Sequence, residues 1–418
     1  MTAVASEQAI PALTVDAIRA QFPALERRQG GNPAAYFDGP GGTQVPRVVV
    51  GAMTDYLFHH MANVHWLFPT SIETDAMLAA AREAVGDLVN GRPDEIAFGQ
   101  NMTSLAFHLA RTFGREWVAG DEVVVTELDH QSNVAPWTAL ALERGIVVRT
   151  VKMRPEDSQL DWDDLAAALT PRVKLLAINA ASNVLGTITD VTRATRMAHA
   201  VGAKVFVDAV HSAPHELIDV QAIDCDFLAC SAYKFYGPHI GVLWGRRELI
   251  EALNPPQLTS ASRTSPERIQ TGTQSHESIM GVAAAVNFLA SLGTGGATRR
   301  QALVSAYHVL HERSRRLFSR LRSGLSSVSG LTLSGPDDTM PRTPTQSFTL
   351  AGHRNAAIAA ALGERGLFVS HGNFHGITLA RRLKAYDGFV RAGCSCYTNA
   401  DEIERLIEGV KIVASGAS

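Results

Sequence analysis

Residues 231–244 read SAYKFYGPHIGVLW, a run of small, aromatic and aliphatic side chains with a single lysine, Lys234, between Tyr233 and Phe235 and just ahead of Gly237-Pro238. A lysine ammonium ordinarily stays in water with its stem along the surface, or pairs with a buried carboxylate. Upstream, KVFVDAVHSAPH at residues 204–215 places Asp208 near the carboxyl end of an apolar strand, with His211 shortly after it. Lys234 itself follows a second apolar strand, DFLACS. If the two strands are neighbours, acid and amine emerge at one edge of a sheet. They are then either an ion pair or two groups flanking a ring, the acid on a ring nitrogen and the lysine on an aldehyde.

The pattern around them is repeated. EIAFG, EVVVT, IVVRTV, VKLLAINA and GVLWG read as short strands, separated by helical stretches such as MTSLAFHLAR, VAPWTALALERG and TRATRMAHAVG. A further helix is expected from about residue 70, in TSIETDAMLAAAREAVGDLVNG, ending at Asn-Gly. Alternation of this kind implies right-handed crossovers and a mainly parallel sheet covered on both faces. After a glycine-rich break near residues 293–296 the pattern changes to a long helix, strands at QSFTL, LFVS and FVRAGCSCY, and a closing helix NADEIERLIEGVKIV. The expected architecture is an α/β chain in three parts. Residues 1–30 form an N-terminal segment, loosely attached at its start and packing with the small domain. Residues 31–285 form a large domain, and residues 286–418 a smaller α+β domain with its own sheet. Ligands are expected at the carboxyl ends of the parallel strands.

Composition excludes several classes. The 418 residues are 46% hydrophobic and 19% charged, with a net charge of −3, which argues against electrostatic binding to nucleic acid or anionic membrane. No apolar run has membrane-spanning length, and the start lacks a basic segment followed by an apolar signal core. Four cysteines are too few for a disulfide framework and fit a cytoplasmic protein. Cys394 and Cys396 alternate in a strand-like stretch and are expected to face the same side; no metal site is expected.

The ring hypothesis calls for further parts, and each has a candidate after a strand. Thr103 and Ser104, at a strand-to-helix turn in FGQNMTSLAFHLAR, suit a phosphate, or merely cap the helix. His130 in TELDHQSNVAPW offers a flat partner for a ring. Asn183 in NAASNVLGTI offers a hydrogen bond, or is a turn residue.

Together with TGTQSHE and FVRAGCSCY, these motifs make the sequence resemble a fold-type I pyridoxal-5′-phosphate (PLP) enzyme of the class V aminotransferase family, in its cysteine desulfurase-like branch, over nearly the whole chain. The resemblance implies that Lys234 carries the cofactor as an internal aldimine, Asp208 binds the pyridinium nitrogen and His130 stacks on the ring. Asn183 and His211 lie near the ring oxygen, and Thr103, Ser104 and Ser231 hold the phosphate. Thr273, in TGTQ, reaches the phosphate of a neighbouring subunit in a homodimer. By the same resemblance Arg391 matches the arginine that holds the substrate carboxylate, and Gly41 and Gly42 belong to FDGPGGTQVP, which matches the loop closing over the substrate.

Two departures stand out. Desulfurases of this branch use a loop cysteine, but the corresponding LFVSHGNFHGITLARRL holds none; it carries His371 and His375 instead. Tyr233 stands where many of them have a histidine before the lysine. The expectation is therefore a PLP-dependent lyase acting at Cβ of an α-amino acid without a persulfide on the enzyme. Transamination, epimerisation, carbon–carbon bond formation and PLP binding without turnover remain alternatives. Trp66, Phe68 and Phe374 are either pocket or core residues.

Overall fold

The computed structural model describes residues 13–416. The first twelve residues of the expected N-terminal segment lie outside that range. Seven strands form the main sheet: β1 (Ile96–Gly99), β2 (Glu122–Thr126), β3 (Val147–Val151), β4 (Val173–Asn179), β5 (Lys204–Asp208), β6 (Phe227–Ser231) and β7 (Gly241–Gly245), in the order β1-β7-β6-β5-β4-β2-β3. Only β7 runs antiparallel to its neighbours.

Side chains of successive residues enter opposite faces, as the two-residue period of a strand requires. Val205 and Val207 of β5 join one apolar cluster, under the helices Pro69–Val89 and His276–Ser291, while Phe206 joins a second, under Met102–Phe113 and Ala135–Arg144. Leu176 and Ile178 of β4 divide from Leu175 and Ala177 in the same way. Both faces are covered, which is why these strands read as unbroken apolar runs. The architecture is the expected α/β arrangement, a mainly parallel sheet with helices on both faces.

A second sheet comprises β8 (Leu331–Ser334), β9 (Thr345–Leu350), β10 (Ser370–Gly372) and β11 (Phe389–Gly393), ordered β8-β9-β11-β10 and antiparallel throughout. It packs in a third cluster with the helix Ala400–Ser415. The clusters do not divide the chain at residues 30 and 285. Ile18 and Phe22 lie in the core of the main sheet, although Arg19 pairs with Glu402 at 2.8 Å. Ala35 and Phe37 belong to the second sheet's cluster, and the helix Arg299–Ser326 begins in one core (Leu303, Tyr307) and ends in the other (Leu321, Leu325).

Other local expectations also differ. LFVS is not one strand: Leu367–Phe368 pairs in parallel with Ala35–Tyr36, and only the residues from Ser370 join the second sheet. β11 stops at Gly393, so Cys394 and Cys396 do not share a face; Cys394 enters the second sheet's cluster and Cys396 the main core. Gly393 is packed so closely on Pro40 that a Cβ there would lie 2.4 Å from its ring. The helix Arg47–Asp55, hidden by its β-branched VVV run, was not expected from the sequence.

Candidate active site

Strand register sets the site. Asp208, the last residue of β5, lies opposite Asn179, the last of β4, and beside Ala229 of β6. Ser231 ends β6, and the chain then makes a 3-10 turn, Ala232–Lys234, closed by the bond from Phe235 N–H to Ala232 O, which also accepts Gly237 N–H. β1 leads into the helix starting at Met102, and β2 into the loop of His130. The carboxyl edge therefore gathers Asp208, Lys234, His130, His211, Thr103, Ser231 and Asn183 around one cavity of about 680 Å³.

Lys234 is 9% exposed, and its Nζ donates to Pro40 O at 2.5 Å. That carbonyl belongs to the glycine-rich loop, which Thr43 anchors by donating N–H to Tyr233 O at 2.9 Å. Burial lowers the Lys234 amine to about 7; Arg391 adds to the shift, while Asp208 and Asp38 oppose it. Asp208 is buried and raised to about 6 by desolvation, offset in part by the Val210 N–H that Oδ1 accepts at 2.9 Å and by Lys234. Burial thus brings the amine nearer its neutral form than an ordinary lysine, beside an acid whose ionisation burial opposes.

His130 is lowered to about 4, first by burial and next by His375. Its Nδ1 accepts Ser132 N–H at 3.0 Å, so the neutral ring carries its proton on Nε2. His211 Nε2 contacts the hydroxyls of Thr343 and Thr345, each at 3.1 Å. Asn183 Nδ2 donates to Phe374 O, whereas its Oδ1 is buried without a partner.

At the helix entrance Asn101 Oδ1 caps Ser104 N–H, and Ser231 Oγ accepts Met102 N–H at 3.0 Å. The Ser104 hydroxyl donates to Asn101 O at 2.9 Å, and Ser104 faces the neighbouring cavity rather than that of Lys234. Thr103 lines the Lys234 cavity and is exposed.

Arg391 is buried on β11. Its Nη1 donates to Asn183 O at 2.7 Å, its guanidinium lies 3.8 Å from the Phe374 ring centre, and Nε has no partner. Desolvation lowers its pKa and Asp38 opposes that shift, but a guanidinium stays charged. A Cβ at Gly41 would lie 3.5 Å from Arg391 Nη2, and one at Gly42 would lie 3.2 Å from the Tyr233 ring. Gly42 is thus tight against its side-chain neighbour, whereas the contact at Gly41 is ordinary and a Cβ there would instead crowd Asp38 O at 3.1 Å. Thr273 is exposed and lines two other cavities. Trp66 and Phe68 are exposed, at 54% and 42%, and do not line the Lys234 cavity. His375 does line it; His371, on β10, does not.

Several site residues were missed in the sequence. Asn179, Gln100, Asn101 and His239 line the cavity. Asp38 has a buried, unpartnered Oδ1 and is raised by desolvation against the pull of Arg391 and Lys234. Asn101 was legible as a helix cap; nothing local marked Asp38.

These residues fit a phosphorylated pyridine aldehyde. The cavity offers a low-pKa amine, an acid with one oxygen left free by Val210, an unpartnered buried amide oxygen and a helix N-terminus. The family whose profile matches residues 35–406 is described as Aminotransferase class-V. A cysteine desulfurase from Dickeya dadantii is 31% identical over 412 residues, covering 95% of this chain and 96% of that protein. The apo structure of a cysteine desulfurase from Thermococcus onnurineus superposes with a TM-score of 0.86 at 25% identity, over 98% of this chain and 99% of that one. A cysteine desulfurase structure from Escherichia coli gives 0.83 at 27%, over 97% and 99%. With geometry and similarity in agreement, the chain belongs to the class V aminotransferase family, in its PLP-dependent, cysteine desulfurase-like branch.

Proposed function

We propose that this enzyme holds PLP at Lys234 and acts on an α-amino acid, removing the Cα proton and expelling a substituent from Cβ without a persulfide on a cysteine of its own. The observation that carries the reading is where the reactive groups lie. Lys234, Asp208 and His130 share one cavity, while all four cysteines are free, buried and absent from its lining. Burial pushes the thiols of Cys230, Cys394 and Cys396 up to about 12, and that of Cys225 upward as well, so none supplies a thiolate.

When bound, PLP supplies an electron-withdrawing ring that stabilises negative charge at Cα. Asp208 would hold a proton at the ring nitrogen. Lys234 Nζ receives the Cα proton. His130 would stack on the ring, Asn183 and His211 would meet the ring oxygen, and Thr103, Ser231 and Ser104 would serve the phosphate, Ser104 from the helix N-terminus that Asn101 caps. Arg391, with the loop at Gly41 and Gly42, holds the substrate carboxylate.

The test is product analysis with L-cysteine and the PLP-loaded protein. Pyruvate, ammonia and sulfide are expected. Alanine with thiol-dependent sulfur release would contradict the absence of an enzyme persulfide, and amino transfer without sulfide would contradict lyase chemistry. Arg391→Ala should raise KM about 10- to 100-fold, the value of a lost charge-assisted pair, while PLP capture, read by absorbance, persists. Loss of the cofactor in that variant would refute the assigned role.

The working unit is a homodimer in this reading. Phe58, Met61, Trp66, Leu67 and Ile72 expose between 54% and 97% of their surface along one stretch, an apolar expanse that monomers rarely leave uncovered. Thr273 shares a cavity with the adjacent Val64 and His65, which favours its reaching a partner's phosphate. Sedimentation equilibrium should give twice the chain mass of 44.9 kDa; a monomer at micromolar concentration would refute it. No helix among the described residues is long and apolar enough to cross a membrane, and free buried thiols support a cytoplasmic setting.

A further inference from the structure

Phe374 and His375 are consecutive non-glycine residues in the left-handed region, with φ of 53° and 58°. Backbone of that kind persists only where its surroundings enforce it, and here the site does so. Asn183 Nδ2 donates to Phe374 O at 2.9 Å, and Gln131 N–H donates to His375 O at 3.0 Å. The Phe374 ring is held against Arg391. This places the His375 ring beside that of His130, with centroids 5.1 Å apart, on the lining of the Lys234 cavity yet exposed to solvent.

We propose that His375 is the general acid of the reaction, its protonated imidazole giving a proton to the substituent that leaves Cβ. The proposal rests on the lyase reading above. In the step, the Cα–H pair becomes the Cα=Cβ bond and the Cβ–X bond breaks with its pair on X. Lys234 Nζ gains the Cα proton and His375 loses one to X, so HX departs. Exchange with water reprotonates His375 and discharges Lys234. Hydrolysis of the resulting enamine then gives a keto acid and ammonia.

Position and competition favour His375. Cβ lies one bond from the carbon that bears the carboxylate assigned to Arg391, and Phe374, whose ring lies against Arg391, is next to His375 in the chain. His130 already uses Nδ1 as an acceptor and is only partly exposed, and the buried His211 has its Nε2 engaged by two threonine hydroxyls. His239 stacks on Tyr233 at 4.8 Å and also faces the cavity of Ser104 and Thr273, at the phosphate end. An acid that turns over must also recover its proton from solvent, which the exposed His375 can do.

The test compares L-cysteine, whose sulfide leaves as a base, with β-chloro-L-alanine, whose chloride needs no proton. His375→Asn is the variant of choice, because asparagine tolerates a left-handed φ and is not an acid at neutral pH. The PLP-loaded variant should lose about 10²-fold more turnover with L-cysteine than with β-chloro-L-alanine. Equal losses on the two substrates, or no loss on either, would overturn the proposal. PLP fixed by borohydride in the variant reports an intact site, and His375→Gln repeats the comparison with a longer amide. If the wild-type enzyme releases no pyruvate from β-chloro-L-alanine, the lyase reading itself fails and takes this assignment with it. Success there with no leaving-group discrimination condemns His375 alone.

Discussion

Replacing Lys234 with alanine lowers turnover by about 10³-fold or more, because the variant loses both the amine that captures the aldehyde and the base at Cα. The protein should still fold, since the amine's one hydrogen bond is to the carbonyl of Pro40 in a surface-reaching loop. The wild-type amine also predicts a pH profile. With its pKa lowered to about 7 by burial, the neutral fraction grows tenfold per pH unit below that value and saturates above it. The rate of PLP capture by the apoprotein should rise and then level near pH 7. A rate still climbing toward the ordinary lysine range near 10.4 would show that the amine is exposed and that the cavity is misread. Retention of more than a tenth of the turnover in Lys234→Ala would remove Lys234 from the chemistry.

Asp208→Asn should cost about 10²- to 10³-fold in turnover, the effect of losing one oriented charge in a site from which water is excluded, while Lys234 still captures PLP. The amide keeps the acceptor for Val210 N–H, so packing is preserved and the loss is electrostatic. A second readout separates this role from a structural one. Burial raises Asp208 from 3.8 to about 6, so the folded apoprotein binds that proton more tightly than the unfolded chain. This contribution to stability therefore falls as pH rises between those values, against the opposite contribution of buried histidines such as His130 and His215, and the variant should lose the Asp208 part of the profile. Undiminished turnover with an altered stability profile would leave Asp208 a packing residue only.

The parts of the site legible from the residues alone, apart from the resemblance, share one property: each lies at or just beyond the end of a strand. Apolar β-rich runs show where β2, β5 and β6 end, and His130, Asp208 and Lys234 lie within four residues of those ends. The parts that were not legible come from distant chain. The carbonyl meeting Lys234 belongs to Pro40, 194 residues away, and Asn183 meets Phe374 across 191. Neither residue carries a local mark of its partner. Cys394 and Cys396 were misplaced because alternation cannot show that the strand ends at Gly393. The Arg47–Asp55 helix was missed because VVV has strand propensity, which its tertiary setting overrides.

The most direct measurement is reduction of the PLP-loaded protein with borohydride, followed by proteolysis and mass mapping of the pyridoxyl group. The account predicts one label per chain, on the peptide that contains Lys234. A label on another lysine, or no stable label on protein that has taken up PLP, would contradict it.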